Sequence, residues 1–459
     1  MSELTVVGGG LAGCEAAWQA AEHGVKVFLY EMRPLVSTGA HTTESLAELV
    51  CSNSLGSSLP DRASGLLQDE IRRFNSLLLR CAEQAALPAG GALAVDRKLF
   101  SSIVNERIAA HPNIRLLREE ITDVPFGPTI IASGPLTSPS LARSIQALTG
   151  ENSLFFFDAI APIVRAETID MSIAYRASRY GKSVQNEGDY INCPLNAQEY
   201  ELFVAALSNA ERIHLHSFEQ EINSGVTAGA SEYFEGCLPV EIIAGRGKNS
   251  LAFGPMRPTG LRDPRTGRWP HAVVQLRQDN TAATLYNLVG FQTNLTFSEQ
   301  KRVFQMIPGL ETAEFVRFGQ MHRNTFIASP LILRPTLQVD AYPDLFFAGQ
   351  ITGVEGYMGN IATGLLAGLN AARLLAGRHP MSPPIETMLG SLCRYITTAA
   401  LQDFQPMKAN YGLLPPVANP SESKRERAMQ NGRRSIAALL TWAGSHQIPL
   451  VPGEASLNA

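Results

Sequence analysis

This 459-residue chain has little cysteine, no long apolar run and little net charge. No two of its six cysteines form a CxxC pair, which argues against a zinc ribbon, an iron–sulfur site, a disulfide framework and a dithiol reductase. No apolar run reaches the roughly 18 to 20 residues that would cross a bilayer. The first residues also lack the basic start and the apolar stretch of an export signal. These absences predict a cytoplasmic protein.

The net charge of −4 does not by itself indicate a nucleic-acid-binding protein. There are 31 arginines against 7 lysines, and the planar guanidinium group pairs well with phosphate. The same bias can reflect genomic composition. Local clusters are more informative, because patches rather than net charge steer a polyanion. Two are present: Arg246, Lys248, Arg257, Arg262, Arg265, Arg268 and Arg277 in the middle of the chain, and Lys424, Arg425, Arg427, Arg433 and Arg434 near its end.

The clearest local pattern stands at the start of the chain. An apolar strand at 4–7 is followed by Gly8-Gly9-Gly10-Leu11-Ala12-Gly13, an alanine-rich helix at 14–23 and a second strand at 25–30 that leads into Glu31. Gly8 permits a tight turn, Gly10 lets a pyrophosphate approach the backbone, and Gly13 lets the helix pack on the strand. The Glu31 carboxylate can accept hydrogen bonds from a ribose. The pattern predicts a dinucleotide-binding fold.

The composition, 45% hydrophobic and 17% charged, is typical of an α/β protein with two or three domains. Residues 37–59 are predicted to form a loop beside a site, 69–86 a single helix, and 114–117 and 129–132 strands. Shorter strands and frequent glycine and proline then indicate an inserted α+β domain. The predicted domains are the first part of the dinucleotide-binding domain at 1–150, an inserted substrate domain at 151–325, the second part of the dinucleotide-binding domain with C-terminal helices at 326–445, and a flexible tail at 446–459.

A closing segment near the C-terminal end favours FAD over NAD, because FAD spans the whole domain. A strand at 345–348 leads to Gly349 and Gln350, and a helix of small residues is predicted at 361–375. Many flavoproteins have an aspartate where this chain has Gln350, and a plain strand–helix turn is the alternative interpretation. The predicted fold is α/β, a Rossmann-like FAD-binding domain of the glutathione-reductase type with the α+β insertion. The predicted cofactor-binding residues are Gly8, Gly9, Gly10, Leu11, Ala12, Gly13, Glu31, Gly349 and Gln350.

Several longer segments of the chain are distinctive: LVCSNSL at 49–55, GCLPVE at 236–241, GPMRP at 254–258, NLVGFQT at 287–293, GVEGY at 353–357 and NYGLLP at 410–415. Together they resemble one family, the folate- and FAD-dependent tRNA uracil-5-methyltransferases. The resemblance runs from residue 4 to about 415 and includes the inserted domain. The chain departs from the family at His41-Thr42-Thr43, where many members have a paired histidine.

The resemblance implies a reaction and roles for particular residues. A methylene group passes from 5,10-methylenetetrahydrofolate to carbon 5 of the T-loop uridine at position 54 of tRNA, reduced FAD supplies electrons, and NADPH or NADH re-reduces the flavin. Cys237 would add to carbon 6, and Cys51 would remove the carbon 5 proton. Tyr357 would pack on the isoalloxazine, and Cys193 would be structural. The candidate phosphate partners are Arg257, Arg262, Arg265 and Arg268.

Other interpretations stay open at this point. On spacing alone, Cys51 and Cys237 are more often inert buried thiols than reactive groups. A related flavoenzyme that modifies the wobble uridine of tRNA shares the glycine-rich segment at 349–357, but the segment at 50–53 fits it poorly. A flavin-containing protein that binds RNA without transferring a methyl group is the third interpretation. We predict tRNA as the partner and no obligate protein partner.

Overall fold

A computed structural model describes residues 2–150, 153–181, 183, 188–213, 225–227 and 238–452. Cys237 and residues 453–459 of the predicted tail therefore lie outside the described residues. Within the described ranges, no helix combines the length and apolar character needed to cross a membrane.

The described strands and helices alternate through the first 150 residues, whereas strands predominate in the middle. The strands are β1 (Glu3–Val7), β2 (Lys26–Glu31), β3 (Ser54–Ser57), β4 (Ala86–Leu87), β5 (Ala92–Val95), β6 (Ile114–Arg118), β7 (Thr129–Ile131), β8 (Ser153–Ala159), β9 (Ile163–Arg165), β10 (Tyr175–Ala177), β11 (Tyr190–Leu195), β12 (Gly225–Thr227), β13 (Ala272–Gln278), β14 (Leu285–Leu288), β15 (Phe315–Arg317), β16 (Met321–Phe326) and β17 (Leu345–Phe347). The helices are α1 (Leu11–Glu22), α2 (Ala63–Arg73), α3 (Leu77–Gln84), α4 (Arg97–Ala110), α5 (Pro139–Thr149), α6 (Ala197–Ser208), α7 (Val240–Gly245), α8 (Ser250–Phe253), α9 (Phe297–Phe304), α10 (Ser329–Ile332), α11 (Tyr357–Leu375), α12 (Met388–Thr398) and α13 (Lys424–Ser445).

A five-stranded parallel sheet with the order β17-β7-β1-β2-β6 forms the centre of the first domain. Both of its faces are buried, because successive residues of one strand enter different cores. Val6 packs with the helices on one side, and Val7 packs with α5 on the other. Buried parallel strands have continuous apolar sequences for this reason. The predicted α/β fold is confirmed, since the late strand β17 joins the sheet that the first strands begin.

Helices α1 and α11 cross one face of the sheet at close range. An added Cβ at Gly364 would lie 2.2 Å from the Ala12 carbonyl oxygen, and one at Gly368 would lie 2.3 Å from that of Ala16. Only glycine permits this backbone approach. The helix predicted at 361–375 begins four residues earlier, at Tyr357.

The single helix predicted at 69–86 is wrong, because the chain forms α2 and α3 with a turn between them. Asn75 has a left-handed φ of 59°, a conformation that asparagine tolerates better than most residues. The Ser76 hydroxyl then accepts a hydrogen bond from the amide of Leu79 and so caps α3. The apolar spacing continued through the break, which concealed it.

The middle of the chain builds a second sheet with its own core. Its antiparallel strands follow the order β10-β11-β13-β14-β9-β15. The buried apolar residues packed on it come from 164–313, whereas those of the parallel sheet come from 4–145 and 326–448. A three-stranded sheet, β12-β8-β16, adjoins the junction of the two regions.

The C-terminal helices are held to the first domain by one buried carboxylate. Glu70 on α2 accepts hydrogen bonds from the amides of Met388 (2.6 Å) and Leu389 (2.9 Å) at the start of α12. It also accepts one from the hydroxyl of Ser435 on α13, at 2.5 Å. Beyond α13, Ile448 is buried, and the amide of Val451 donates to the carbonyl of Arg73 at 2.8 Å.

Candidate active site

The glycine-rich turn after β1 brings the start of α1 against the sheet. A Cβ at Gly13 would stand 1.8 Å from the Gly8 carbonyl oxygen, and Gly8 has a φ of +107° that L side chains rarely adopt. Gly10 differs, because a Cβ there would meet no atom within 4 Å. The turn is therefore closed towards the protein and open towards a cavity at the N-terminus of α1, where backbone amides and the helix dipole favour an anion.

Glu31, at the end of β2, is buried beside this turn. Its Oε2 accepts a hydrogen bond from the Gly9 amide (2.9 Å), and its Oε1 accepts from the Arg33 amide (3.0 Å) and Nε (2.8 Å). Burial raises the pKa of this carboxyl, but the hydrogen bonds and charge of Arg33 outweigh it, so the net pKa is lowered. Glu31 is therefore ionised at neutral pH and can accept further hydrogen bonds.

The closing segment after β17 forms the other wall of the cavity. Gly349 has a φ of +80°, and a Cβ there would lie 2.7 Å from Ala12 Cβ. Gln350 donates to Glu355 at 3.0 Å. Asn360 is 7% exposed, and its Oδ1 atom has no hydrogen-bond partner. A buried acceptor of this kind normally has a donor.

A cavity of about 990 Å³ extends between these elements. The open Gly10 face, the ionised Glu31 and the unpartnered Asn360 all point to a ligand that has phosphates at one end and hydrogen-bond donors along its length. The residues present therefore fit FAD. Of the predicted cofactor residues, the cavity is lined by Gly8, Gly10, Leu11, Ala12, Glu31, Gly349, Gln350 and Tyr357, while Gly9 lies behind it and Gly13 supports the turn.

A second cavity of about 930 Å³ adjoins the first, and Cys51 lies in its wall. The two share Val50, Pro135, Leu136, Gln350, Tyr357 and Asn360. Besides Cys51, the second cavity is also lined by Ala40, Ser52, Ser54, Ile160, Gln292, Asn324, Glu355, Gly356 and Lys408. Cys51, which is half-buried, thus lines the second cavity next to residues that both cavities share.

Hydrogen bonds from several elements fix the backbone of the Cys51 turn. The amides of Cys51 and Ser52 both donate to the Tyr357 hydroxyl, at 2.9 and 3.1 Å. Arg97 donates to the Leu49 carbonyl at 2.8 Å. The resemblance gave Tyr357 a role on the flavin, and the structure adds that its hydroxyl supports the turn. Burial raises the pKa of this phenol.

The residues after Cys51 connect the first domain to the second sheet. Asn53 is fully buried and donates to the carbonyls of Val95 (3.1 Å) and Gln278 (2.8 Å). Its Oδ1 accepts from Arg277 Nε (2.9 Å) and Asn287 Nδ2 (3.1 Å). Both polar atoms of the Asn53 side chain therefore form hydrogen bonds, and these bonds link the first domain rigidly to the second sheet.

Three arginines near this turn, Arg97, Arg277 and Arg317, were not predicted from the sequence as site residues. Sequence reasoning assigned Arg277 to a surface cluster, yet it is 9% exposed and directed inward. Arg97 and Arg317 stand in segments with no motif, so nothing in the sequence singled them out. Asn360, three residues after Tyr357 in a glycine-rich stretch, is the one missed residue for which position along the chain was a usable signal.

Because Cys237 lies outside the described residues, only the chain after it can be followed. The amide of Val240 donates to the carbonyl of Gln292 at 2.7 Å. Glu241, which is buried, accepts from the Asn294 amide (2.7 Å) and the Thr293 hydroxyl (2.9 Å). Helix α7 is thus held against the segment at 292–294, whose first residue lines the second cavity.

The other described cysteines are buried and belong to no disulfide. Burial raises the pKa of Cys81 to about 11 and that of Cys393 to about 12, and it raises those of Cys14 and Cys193 further. Deeply buried thiols with raised pKa values are inert. Cys51 differs from all of them by its exposure to a cavity.

The loop with the unusual Thr42-Thr43 pair is held by Glu48. This carboxylate accepts hydrogen bonds from the amides and hydroxyls of both threonines, between 2.8 and 3.1 Å. It also forms an ion pair with Arg33 at 3.0 Å. His41 contacts the Thr38 hydroxyl at 2.6 Å and lines the first cavity. The two threonines therefore hold the loop in place through Glu48, and His41 is the histidine of this loop that lines the cavity.

The first basic cluster contains the buried Arg277 and several exposed cations. Arg265 pairs with Asp263 through two hydrogen bonds of 3.1 and 2.8 Å, and Lys248 pairs with Glu201 at 2.8 Å. The exposed Arg262 lies over the ring of Trp269, with 6.0 Å from the guanidinium carbon to the ring centroid. The second cluster lies at the start of α13, where Arg433 pairs with Glu426 and Arg434 donates to the Pro415 carbonyl.

Comparison with known proteins gives the family. The model of the family "Glucose inhibited division protein A" matches residues 3–379. Proteins named methylenetetrahydrofolate--tRNA-(uracil-5-)-methyltransferase TrmFO are similar over nearly their whole length: that of Heliobacterium modesticaldum is 56% identical over 437 residues (95% of this chain, 97% of the relative), and that of Geobacter sulfurreducens 54% over 440 residues (96% and 98%).

Among solved structures, GidA of Aquifex aeolicus in its form I crystal has a TM-score of 0.69 at 17% identity, over 99% of this chain and 77% of that one. This similarity supports the fold. The family model covers most of the chain, and relatives above 50% identity cover nearly all of it. The chain therefore belongs to the glucose inhibited division protein A family and, within it, to the methylenetetrahydrofolate–tRNA (uracil-5-)-methyltransferases.

Proposed function

We propose that this protein methylates carbon 5 of the T-loop uridine of tRNA, at position 54, with 5,10-methylenetetrahydrofolate as the carbon donor. The observation that carries the proposal is the position of Cys51. Its thiol lies where a cavity that fits FAD opens into a second cavity of about 930 Å³. A uracil ring and the one-carbon end of a folate have to meet beside the flavin, and this junction is the place where the three can do so.

The first cavity would hold FAD through groups of this chain that are already positioned. The turn at 8–13 would bind the pyrophosphate with backbone amides, Glu31 would accept hydrogen bonds from the adenosine ribose, and the Asn360 Oδ1 atom would accept one from the cofactor's hydroxyl-bearing chain. Tyr357 would pack beside the ring system. When bound and reduced by NADPH or NADH, FAD supplies the electrons that convert the transferred methylene group into a methyl group.

Cys51 would act as the base that removes the proton from carbon 5. The C–H electron pair stays in the uracil ring, and the thiolate becomes a thiol. This role needs a thiol at a fixed place, and the hydrogen bonds that the turn donates to the Tyr357 hydroxyl and accepts from Arg97 supply that rigidity. Mobile general bases lose rate because they are seldom in position.

Cys237 would add to carbon 6 of the uracil and so make carbon 5 nucleophilic. The described residues support this assignment through the chain that follows it. Val240 is bonded to Gln292, which lines the second cavity, and Cys237 stands three residues before Val240. Three extended residues span at most roughly 10 Å, which limits how far the thiol can lie from Val240.

The uridine must leave the T-loop stack before a thiol can reach carbon 6, which costs a few kcal/mol. The outward cations Arg257, Arg262 and Arg268 would offset this cost by binding phosphates, and Trp269 beside Arg262 offers a ring on which a base can stack. Arg265 is already paired with Asp263 and should matter less. Replacing the three outward arginines with methionine should lower the salt dependence of tRNA binding by about one unit of log–log slope per lost contact.

The direct test is mass spectrometry of the T-loop after incubation of unmodified tRNA with the enzyme, methylenetetrahydrofolate and reduced nicotinamide. We expect one methyl group on carbon 5 of the T-loop uridine, its loss in Cys51→Ala, and its retention in Cys81→Ala, which changes a buried thiol outside both cavities. Mass gained at the wobble uridine would favour the related modification enzyme instead. RNA binding without folate-dependent turnover would refute methyl transfer.

A second experiment addresses Cys237 separately. RNA that carries 5-fluorouridine should form a covalent complex with the wild-type enzyme, because carbon 5 then has no removable proton. Cys237→Ala should not form it, and an undiminished complex in that variant would exclude Cys237 as the nucleophile. The cytoplasmic location and the absence of an obligate protein partner remain predictions.

A further inference from the structure

Two arginines of the inserted domain bracket Cys51. Arg317, at the end of β15, donates from Nη2 to the carbonyl of Val50 at 2.9 Å. Arg277, in β13, donates from Nη2 to the Ser52 hydroxyl at 2.7 Å and from Nε to Asn53 Oδ1 at 2.9 Å. The residues directly before and after Cys51 are therefore each bound by a guanidinium group.

Both guanidinium groups are withdrawn from water. Arg277 is almost fully buried and Arg317 is half-buried. Burial lowers the pKa of each, yet arginine remains protonated in proteins. In the part of the chain that the structure describes, neither forms an ion pair with a carboxylate. Buried cations normally have an anionic partner.

The other described ionisable groups around the turn do not supply that partner. Among them, Asp279 is the carboxylate that acts on both arginines, but it already pairs with Arg97 at 3.2 Å and accepts from Asn287 at 3.1 Å. The phenols of Tyr190 and Tyr357 are neutral at physiological pH, since their pKa values are raised by burial. Across the second cavity, Glu355 and Lys408 contribute one charge of each sign. Among the residues that the structure describes, positive charge is therefore in excess beside Cys51.

We propose that Arg277 and Arg317 are positioning residues for Cys51, which fix its turn and stabilise its thiolate form. A thiolate is the species that accepts a proton, and cations beside a thiol favour it. The inserted domain thus completes the reactive centre in addition to its proposed contacts with RNA. The inference depends on the proposed function only for the use made of the thiolate, because thiolate formation is measurable without RNA or folate.

The experiment measures alkylation of Cys51 by iodoacetamide in the FAD-bound enzyme between pH 5.5 and 9.5, with the modified peptide quantified by mass spectrometry. The variants are Arg317→Gln, which keeps a donor for the Val50 carbonyl but removes the charge, and Arg277→Met. Arg317→Lys keeps the charge. Arg143→Gln, an exposed arginine of α5, is the matched control.

We expect each neutral variant to raise the midpoint pH of Cys51 alkylation by about one unit and to slow the reaction at pH 7 about tenfold. Arg317→Lys should recover most of the rate, and Arg143→Gln should behave as the wild type. If a neutral variant that retains FAD reacts at the wild-type rate with the wild-type midpoint, the inference is overturned. If Arg277→Met does not retain FAD, the alkylation rate and midpoint of Arg317→Gln alone test the inference.

Methylation assays on the same proteins separate the two proposals. A wild-type enzyme that shows the expected alkylation behaviour but transfers no methyl group would refute the proposed function and leave the inference intact. Neutral variants that methylate tRNA with unchanged kcat and show unchanged alkylation would refute the inference and leave the function.

Discussion

The buried carboxyl of Glu70 makes the stability of this protein depend on pH in a specific direction. It is fully buried between α2, α12 and α13. Burial raises its pKa from 4.5 to about 7, and the hydrogen bonds from Ser435, Leu389 and Met388 only partly oppose that rise. The folded protein therefore binds a proton that the unfolded chain releases near pH 4.5.

The sign follows from proton linkage. The stability that the protonated Glu70 contributes is fully present below pH 4.5 and is lost as the pH rises to about 7. Above about pH 7 this contribution no longer changes with pH. At 1.36 kcal/mol per pH unit, the interval from 4.5 to about 7 corresponds to about 3 kcal/mol of unfolding free energy. Glu70→Gln keeps a neutral group of similar shape and should abolish this part of the pH dependence.

The assay is denaturant unfolding of the FAD-bound wild type and Glu70→Gln, measured in parallel at pH 5, 6, 7 and 8. The wild type should lose about 2.5 kcal/mol relative to the variant between pH 5 and pH 8, because part of the change lies below pH 5. Glu106→Gln changes an exposed carboxylate on α4, and its unfolding free energy should depend on pH as that of the wild type does. A wild-type curve that stays parallel to Glu70→Gln, or rises relative to it, would refute the reasoning.

Three further predictions concern packing around the site. Gly13→Ala should destabilise even the FAD-free protein, towards the upper end of about 1 to 3 kcal/mol. Gly10→Ala should leave the stability of the FAD-free protein unchanged and weaken FAD retention. Thermal unfolding with and without FAD tests both variants, and equal effects of the two would contradict the assignment of Gly10 to the open face of the turn. Tyr357→Phe should cost about 1 to 3 kcal/mol through the lost acceptor for two amides and lower kcat more than FAD affinity, as steady-state kinetics and flavin titration will show. Gly368→Ala should destabilise by about 1 to 3 kcal/mol through its contact with α1, while Gly444→Ala, at an exposed place in α13, should change stability by less than about 1 kcal/mol in the same unfolding experiment.

The parts of the fold that the sequence predicts are those with strong local rules. The turn at 8–13 and the strands on each side of it follow from glycine positions and apolar spacing, and the first sheet has the predicted parallel strands. The break at Asn75 escaped prediction, because apolar periodicity is the same on both sides of it and a single left-handed residue leaves no pattern.

The candidate site is less predictable, since its residues meet only in three dimensions. The resemblance named Cys51 because the segment around it is distinctive. Arg317 reaches the same turn from 266 positions further along the chain, on an edge strand with an unremarkable sequence. Arg277 was assigned to the surface because charge counting along a chain cannot distinguish a solvated arginine from one buried beneath a loop.

The strand order of the first sheet also sets the timing of its assembly during synthesis. Strand β1 leaves the ribosome first, but its sheet lacks β17 and the small-residue helix α11 until more than 300 further residues have been made. At about 5 to 20 residues per second, that interval is roughly 20 to 70 s. The central region packs on its own apolar core, and until β17 has been made one edge of β7 has no partner strand in this sheet. The first cavity, which Gly349 and Gln350 help to line, can therefore be complete only after β17 and α11 have been made.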